Sequence, residues 1–258
     1  MTSLIPSHPL PARETEYLRD VRAILRRTLA DQLVGVYLFG SAANGSYEPG
    51  VSDLDIQAVT HVPVPEALRR ELAGLLAHAH LPCPARRLEF VLYSQGAVSP
   101  AARHPRFLLN WNTGAGERDH MSLDAAQEAS HWFLLDIAMG REVGQALFGP
   151  PPAEVFSPIP RPWVLDALLD SLLWHHTHEG TSANAVLNAC RAWRYAAEGV
   201  MGSKLDGAAW AMQQLDEPGL IAQALRHRRH GYAPDPAAVV QLMDRVALEV
   251  RRAIERSR

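Results

Sequence analysis

Two aspartates spaced two residues apart, Asp53 and Asp55, are the first residues of this sequence to suggest chemistry. They fall on a predicted strand, 53–59, and alternate residues of a strand point to the same face, so the two carboxylates lie side by side. Mg²⁺ prefers such oxygen ligands, and it completes its shell with substrate phosphate oxygens and water. The pair therefore indicates a magnesium site that meets a phosphate-bearing substrate.

A glycine and a serine upstream extend this interpretation. Gly40 and Ser41 directly follow a short apolar run, 33–39. Glycine lets the backbone approach phosphate oxygens closely, and the serine hydroxyl and nearby N–H groups can donate hydrogen bonds to them. A lone pair of aspartates is usually a solvated strand end, and a lone glycine and serine are usually a turn. Their combination after a buried strand predicts a face that holds both metal and triphosphate.

A third acidic residue is expected because an attacking hydroxyl must lose its proton. Glu89 is the candidate, since it lies between Leu88 and Phe90 on the predicted strand 87–93. An isolated glutamate on an apolar strand is costly unless it has a partner. The alternative is a surface carboxylate on an edge strand.

Hydropathy patterns predict the elements that must position these residues. The first half reads as a helix, two strands, a helix and a strand, over 13–30, 33–39, 53–59, 65–80 and 87–93. Proline and glycine are dense over 149–162, which breaks helix and strand alike. We therefore predict two domains, 1–156 and 157–258. The patterns of the second are all helical, over 163–178, 184–198, 203–215, 218–231 and 236–258.

One helix of the second domain carries a polar face. Asn184, Asn188, Arg191 and Tyr195 recur at helical spacing, and Lys204 follows just after the helix ends. Arginine binds phosphate through a planar fork and lysine offers a point charge, so the two cations are candidate phosphate ligands. The alternative is a structural amide network with solvated cations.

These motifs resemble a known family. The strand, the glycine and serine, and the paired aspartates resemble the nucleotidyltransferase superfamily that shares the DNA polymerase β palm. The run 184–195, with Gly199, Lys204 and Trp210, resembles the C-terminal domain of the aminoglycoside 3″/9 adenylyltransferases. The resemblance implies an α+β fold, with an N-terminal nucleotidyltransferase domain on a mixed sheet and a C-terminal helical bundle.

The resemblance also implies residue roles. It implies a nucleotidyltransferase that transfers AMP from ATP to a hydroxyl of an antibiotic and so confers resistance. It also implies Mg²⁺ as the cofactor, and two ions are expected. The implied metal ligands are Asp53 and Asp55, and Glu89 is the implied catalytic base. The implied nucleotide-binding residues are Gly40, Ser41, Ser52, Arg191, Lys204 and Tyr232. Because the last three belong to the second domain, we expect ATP to contact both domains and close them.

The resemblance is less complete at the positions that select the drug. Members that accept streptomycin pair a tryptophan with acidic residues before the polar helix, and Trp111 matches the tryptophan. Thr177 and Thr181 stand where the acids align, which leaves Glu179 nearby as a substrate-binding candidate. A guanidinium-bearing drug needs fixed carboxylates. Spectinomycin is therefore favoured over streptomycin, and another small molecule remains an alternative.

Composition excludes several other classes. The chain has 258 residues, with 25 Lys and Arg against 28 Asp and Glu, a net charge of −3, whereas nucleic-acid binders are usually basic. This balance suits a small cationic, hydroxylated substrate, without nucleic acid or membrane partners. Two distant cysteines and no leader pattern indicate a cytoplasmic protein, and a monomer is expected. Rival functions are modification of a protein hydroxyl and binding of nucleotide or drug without chemistry.

Overall fold

The structure, a computed structural model, describes residues 10–116, 118–180, 182–226 and 234–257. The chain divides into two compact units, the first ending at Pro158 and the second beginning at Ile159. The first unit combines helices with a sheet, and the elements described in the second are helices. Each unit is considered by itself.

The first unit contains twelve helices and strands among its described residues, together with short 3₁₀ turns at Ala30–Gln32 and Ala125–Gln127. Its helices are α1 Ala12–Leu29, α2 Gly40–Ala43, α3 Glu66–Leu76, α4 Gln95–Val98, α5 Ser130–Val143 and α6 Pro152–Val155. Its strands are β1 Leu33–Leu38, β2 Leu54–Thr60, β3 Leu88–Ser94, β4 Leu109–Thr113, β5 His120–Ser122 and β6 Gln145–Phe148.

The six strands form one mixed sheet in the order β5-β4-β3-β2-β1-β6. β2 and β3 are parallel, and every other pairing is antiparallel. The predicted α+β class with a mixed sheet is confirmed. Helix α3 supplies the crossover that a parallel pair requires.

One face of the sheet is an apolar core. Leu54 and Ile56 of β2, Phe90 of β3 and Trp111 of β4 belong to a single buried cluster. Helix α1 covers this face because its apolar residues recur at helical spacing, and their buried members are Tyr17, Leu18, Val21, Leu25 and Leu29. Since neighbouring strand residues alternate, the side chains of Asp55 and Glu89 point to the opposite face.

Aromatic packing fixes helix α5 against that opposite face. Phe39, at the end of β1, packs against Phe156 with ring centroids 5.4 Å apart. A Cβ on Gly140 of α5 would lie 2.1 Å from the Phe39 ring, so only glycine allows this approach. The close packing places α5 beside the turn that follows β1.

The described helices of the second unit are α7 Arg161–His178, α8 Ala183–Glu198, α9 Lys204–Met212, α10 Gly219–Arg226 and α11 Pro236–Arg256. Ser203 begins α9 with a capping box, in which its hydroxyl accepts from the backbone of Asp206 and the Asp206 carboxylate accepts in return. A Cβ on Gly207 would lie 2.6 Å from the Cα of Arg191, so α9 packs closely on α8. None of the described helices is long and apolar enough to span a membrane.

Candidate active site

The centre of the candidate site is Asp55, next to Glu89. The two residues are register partners on the parallel strands β2 and β3, so their side chains leave the same face side by side. Gly40, with φ +61°, lies directly against Asp55, and a Cβ there would fall 1.8 Å from Asp55 Oδ2. The backbone N–H of Phe39 donates to the carbonyl of Asp55 at 2.8 Å. The turn after β1 is therefore held on the carboxylate that the sequence assigns to metal.

Burial and neighbouring carboxylates raise the pKa of both aspartates of the site. Burial and the negative charge of Glu89 hold the pKa of Asp55 well above its usual range. Asp136, on α5, and Asp53 contribute in the same direction. Burial and Glu89 also raise the pKa of Asp53, although nearby arginines oppose this shift. The site is thus a cluster of negative charge that a cation stabilises.

Two arginines that the sequence analysis did not assign to the site partly neutralise this cluster. Arg86 donates to Asp53 through Nε at 2.9 Å and through a terminal nitrogen at 3.3 Å. Arg87 forms an ion pair with Glu89, and its Nε lies 3.6 Å from Asp53 Oδ2. A sequence signal existed, because Arg87 stands two residues before Glu89 in an extended segment and so shares its face.

The predicted phosphate-binding serines occupy different environments. Ser41 follows Gly40 in the first turn of α2 and is half-buried. The hydroxyl of Ser52 is buried and accepts from the backbone N–H of Glu48 at 3.0 Å. This bond closes the loop that leads into the aspartates, so Ser52 orders the approach to the metal ligands.

The residues present fit Mg²⁺. Asp53 and Asp55 offer carboxylate oxygens, the hard ligands that Mg²⁺ prefers. Burial, followed by the charge of Glu89, raises the pKa of both groups, and a divalent ion would favour their ionised forms. Across the described ranges, no group of three or more His, Cys, Asp or Glu side chains is arranged to hold a metal. Magnesium sites with few protein ligands complete their shell with phosphate oxygens and water.

The polar face of α8 is a continuous hydrogen-bond network. Lys204 Nζ donates to Asn184 Oδ1 at 2.7 Å, and Asn188 donates to the same oxygen at 3.2 Å. Arg191 donates to Asn188 Oδ1 at 2.9 Å. The structure therefore brings the two predicted phosphate-binding cations of the second unit into one amide network.

Each of the two units contains a region that matches a known protein family. Residues 18–93 match the nucleotidyltransferase domain family, and residues 154–251 match the family described as aminoglycoside adenylyltransferase, C-terminal domain. An aminoglycoside (3″)(9) adenylyltransferase of Klebsiella pneumoniae is 30% identical over 234 residues, which cover 86% of each chain. The chain belongs to the aminoglycoside adenylyltransferase family. It is a nucleotidyltransferase, as the sequence analysis predicts.

Relatives of lower sequence identity to this adenylyltransferase are also adenylyltransferases. A spectinomycin 9-adenylyltransferase of Staphylococcus aureus is 27% identical over 205 residues, covering 74% of this chain and 75% of the relative. The solved structure of a spectinomycin adenyltransferase from Enterococcus faecialis, with ATP and spectinomycin, superposes with a TM-score of 0.69. It covers 92% of this chain and 99% of the solved one, at 18% sequence identity, which shows a shared fold.

The structure does not bring Trp111 to the carboxylates of this adenylyltransferase. Trp111 pairs in register with Phe90 and is 7% exposed within the apolar core, on the opposite face from Glu89. The next residue, Asn112, is the register partner of Glu89 and shares its face. The sequence analysis does not predict strand β4, so it does not indicate which face of the sheet Trp111 and Asn112 occupy.

Glu179, the predicted substrate-binding acid, lies at the end of α7 and makes several internal hydrogen bonds. Its Oε2 accepts from Asn184 at 2.9 Å and from Ser182 at 3.2 Å, and lies 3.0 Å from His175 Nδ1. These bonds, that of His175 foremost, lower the pKa of Glu179 to about 2 although partial burial opposes them. Glu179 thus anchors the Asn184 network. Tyr232 lies outside the described residues.

Proposed function

We propose that this enzyme transfers AMP from ATP to a hydroxyl of an aminocyclitol antibiotic, with spectinomycin preferred to streptomycin. The observation that carries the proposal is the register pairing of Asp55 with Glu89 beneath Gly40, in a chain of this family. The pairing sets a proposed metal ligand and the proposed general base side by side, next to a turn where backbone can approach phosphate.

In the proposed reaction, Glu89 accepts the proton of the acceptor hydroxyl. The hydroxyl oxygen forms a bond to the α-phosphorus of ATP, and the bond from that phosphorus to the β-phosphate oxygen breaks, so pyrophosphate leaves. Gly40 and Ser41 position the triphosphate, and Arg191 and Lys204 are proposed to bind it from the second domain. Mg²⁺ held by Asp53 and Asp55 would supply charge neutralisation at the reacting phosphate. Catalysis consists mostly of positioning and electrostatic stabilisation.

The preference for spectinomycin rests on Thr177 and Glu179, which lie in the sequence just before α8. A streptomycin guanidinium requires carboxylates that are free to form forked ion pairs. Thr177 carries a hydroxyl, which donates to the Leu173 carbonyl at 2.9 Å. Oε2 of the nearby Glu179 is already engaged in hydrogen bonds with Asn184, Ser182 and His175. These contacts favour an acceptor that carries amines and hydroxyls over one that carries guanidinium groups.

The test is an assay of the purified protein with ATP, Mg²⁺ and a panel of spectinomycin, streptomycin, other aminoglycosides and plain aminocyclitols. Product mass and released pyrophosphate are measured, with Glu89→Gln as the matched inactive control. A gain of one AMP on spectinomycin, and much less on streptomycin, supports the proposal. Equal transfer to both drugs contradicts the preference. Binding of ATP without transfer to any panel member overturns the reaction and favours a protein acceptor or a binding role.

A further inference from the structure

A row of polar residues extends from the candidate site across the sheet. Asp55 pairs in register with Glu89, Glu89 with Asn112, and Asn112 with His120 at the sheet edge. Register partners on neighbouring strands point to the same face and lie about 5 Å apart. The four side chains therefore form one line, running from the metal-type carboxylate to strand β5.

The ends of this row are chemically different. Gly40 lies against Asp55 at the β1 side, where the turn after β1 is the candidate for phosphate contact. In a displacement at phosphorus the attacking and leaving oxygens are roughly in line, so the acceptor approaches from the side away from the leaving group. With Glu89 as the base, an in-line acceptor would extend over β4 and β5.

Asn112 is suited to contact that body. It is half-buried next to Glu89, and within the described ranges its amide has no hydrogen-bond partner. An amide offers both a donor and an acceptor, which matches a hydroxyl beside the one that reacts.

Negative charge follows at the end of the row. The Nε2 of His120 lies 2.8 Å from the Glu128 carboxylate, whose side chain is 22% exposed. A carboxylate in this position can attract an ammonium group, although His120 competes for one oxygen.

We propose that Asn112 and Glu128 form the acceptor subsite of the first domain, which takes a polyhydroxylated amine. Asn112 hydrogen-bonds a hydroxyl next to the reacting one, and Glu128 faces an amine of the same molecule. The inference rests on the proposed function, because it requires a small hydroxylated acceptor at Glu89. It assigns acceptor selection to the row across β3, β4 and β5.

The test compares Asn112→Ala and Glu128→Gln with wild type, using spectinomycin as acceptor. Each variant is expected to raise the KM for spectinomycin about tenfold, the effect of one lost polar contact, with the KM for ATP within about twofold. The matched control is Met121→Ala, because Met121 pairs with Trp111 and so faces away from the row, and it is 38% exposed. Thermal melting checks that each variant is folded.

Binding separates failure of this inference from failure of the proposed function. Wild type and variants are titrated with spectinomycin by calorimetry in the presence of Mg²⁺ and a non-hydrolysable ATP analogue. Wild type that binds and reacts, with Asn112→Ala and Glu128→Gln unchanged in KM and affinity, overturns the subsite. An equal rise in the KM for ATP and for spectinomycin also overturns it. Wild type that neither binds nor modifies spectinomycin overturns the proposed function for this drug, and the subsite with it.

Discussion

The guanidinium of Arg87 forms an ion pair with the carboxylate of Glu89, two residues later in the chain. The same guanidinium reaches towards Asp53, with Nε 3.6 Å from Oδ2. The candidate base and a candidate metal ligand therefore share one protein cation. A cation between carboxylates offsets their repulsion, so Arg87 stabilises the negative charge of the proposed active site.

Substitution Arg87→Met tests this stabilising role. Without Mg²⁺ the variant is expected to melt about 2–4 °C below wild type, since Asp53 and Glu89 lose a partly buried ion-pair partner. Saturating Mg²⁺ and ATP should reduce the difference, because metal supplies the missing charge. Thermal melting with and without Mg²⁺ and ATP measures both effects. The control Arg70→Met removes only an exposed pair with Glu66, so a similar loss there contradicts the prediction.

Substitution Asp55→Asn should separate stability from activity. The raised pKa of Asp55 means that its ionised form destabilises the fold near neutral pH. The variant is therefore expected to melt about 2–4 °C higher without Mg²⁺, while turnover falls about a hundredfold or more. Melting curves and initial rates provide the measurements. Asp53→Asn should lose turnover with a smaller gain in melting temperature, because the charges of Arg87 and Arg86 oppose the rise in the pKa of Asp53 and the substitution removes the carboxylate to which Arg86 donates. An equal gain in both variants would refute the interpretation.

Substitution Gly40→Ala should abolish transfer, because its Cβ would fall 1.8 Å from Asp55 Oδ2. Gly50→Ala is a matched control: Gly50 has a φ of +75°, and a Cβ there meets nothing within 4 Å. The two variants share the backbone strain of about 1–2 kcal/mol, but only the first displaces the carboxylate. We expect Gly50→Ala to keep nearly full turnover. Initial rates of AMP transfer measure the effect of each variant. Comparable losses of rate in both would show that backbone strain alone causes the loss.

Substitution Asn184→Ala tests the network that joins Lys204 to α8. Losing the Asn184 oxygen removes the acceptor of the 2.7 Å hydrogen bond that Lys204 donates, so we expect the KM for ATP to rise about tenfold. The tenfold rise is the effect of one lost polar contact. The KM for the acceptor should change by less than about twofold, because Lys204 is proposed to bind ATP. Steady-state kinetics with each substrate varied in turn gives both values. Arg194→Ala on the same helix, which removes a pair with Glu198, is the control and should alter neither.

Substitution Glu179→Gln should change how the stability of the fold depends on pH in the acidic range. Hydrogen bonds from His175 and its neighbours lower the pKa of Glu179 to about 2, so ionised Glu179 stabilises the fold at pH 5 and above. That contribution is lost as pH falls from about 4.5, the unperturbed value, through about 2. Wild type should exceed the variant by about 1–3 kcal/mol in free energy of unfolding at pH 5, and by less at pH 3. Urea unfolding at both values measures this. A difference that stays constant with pH contradicts the assignment.

Much of the fold could be predicted because it depends on local periodicity. The apolar spacing of α1 and α8 is set by helix geometry, and the short apolar runs of β1 to β3 are flanked by turn residues. Strands β4, β5 and β6 were not predicted. They are three to five residues long, and two of them carry polar residues that resemble loop. Short strands of this kind gain their stability from pairing with neighbours rather than from propensity.

The sequence by itself determined the chemical character of the site: the types and spacing of Gly40, Asp53 and Asp55, and a lone glutamate on an apolar strand. Only the tertiary structure decided which groups meet. The register of β2 and β3 pairs Asp55 with Glu89, and the pairing of β4 turns Trp111 into the core and Asn112 towards the carboxylates. The physical reason is that side-chain alternation is a local property of the backbone, whereas register depends on packing between distant segments, and a shift of one residue exchanges the two faces.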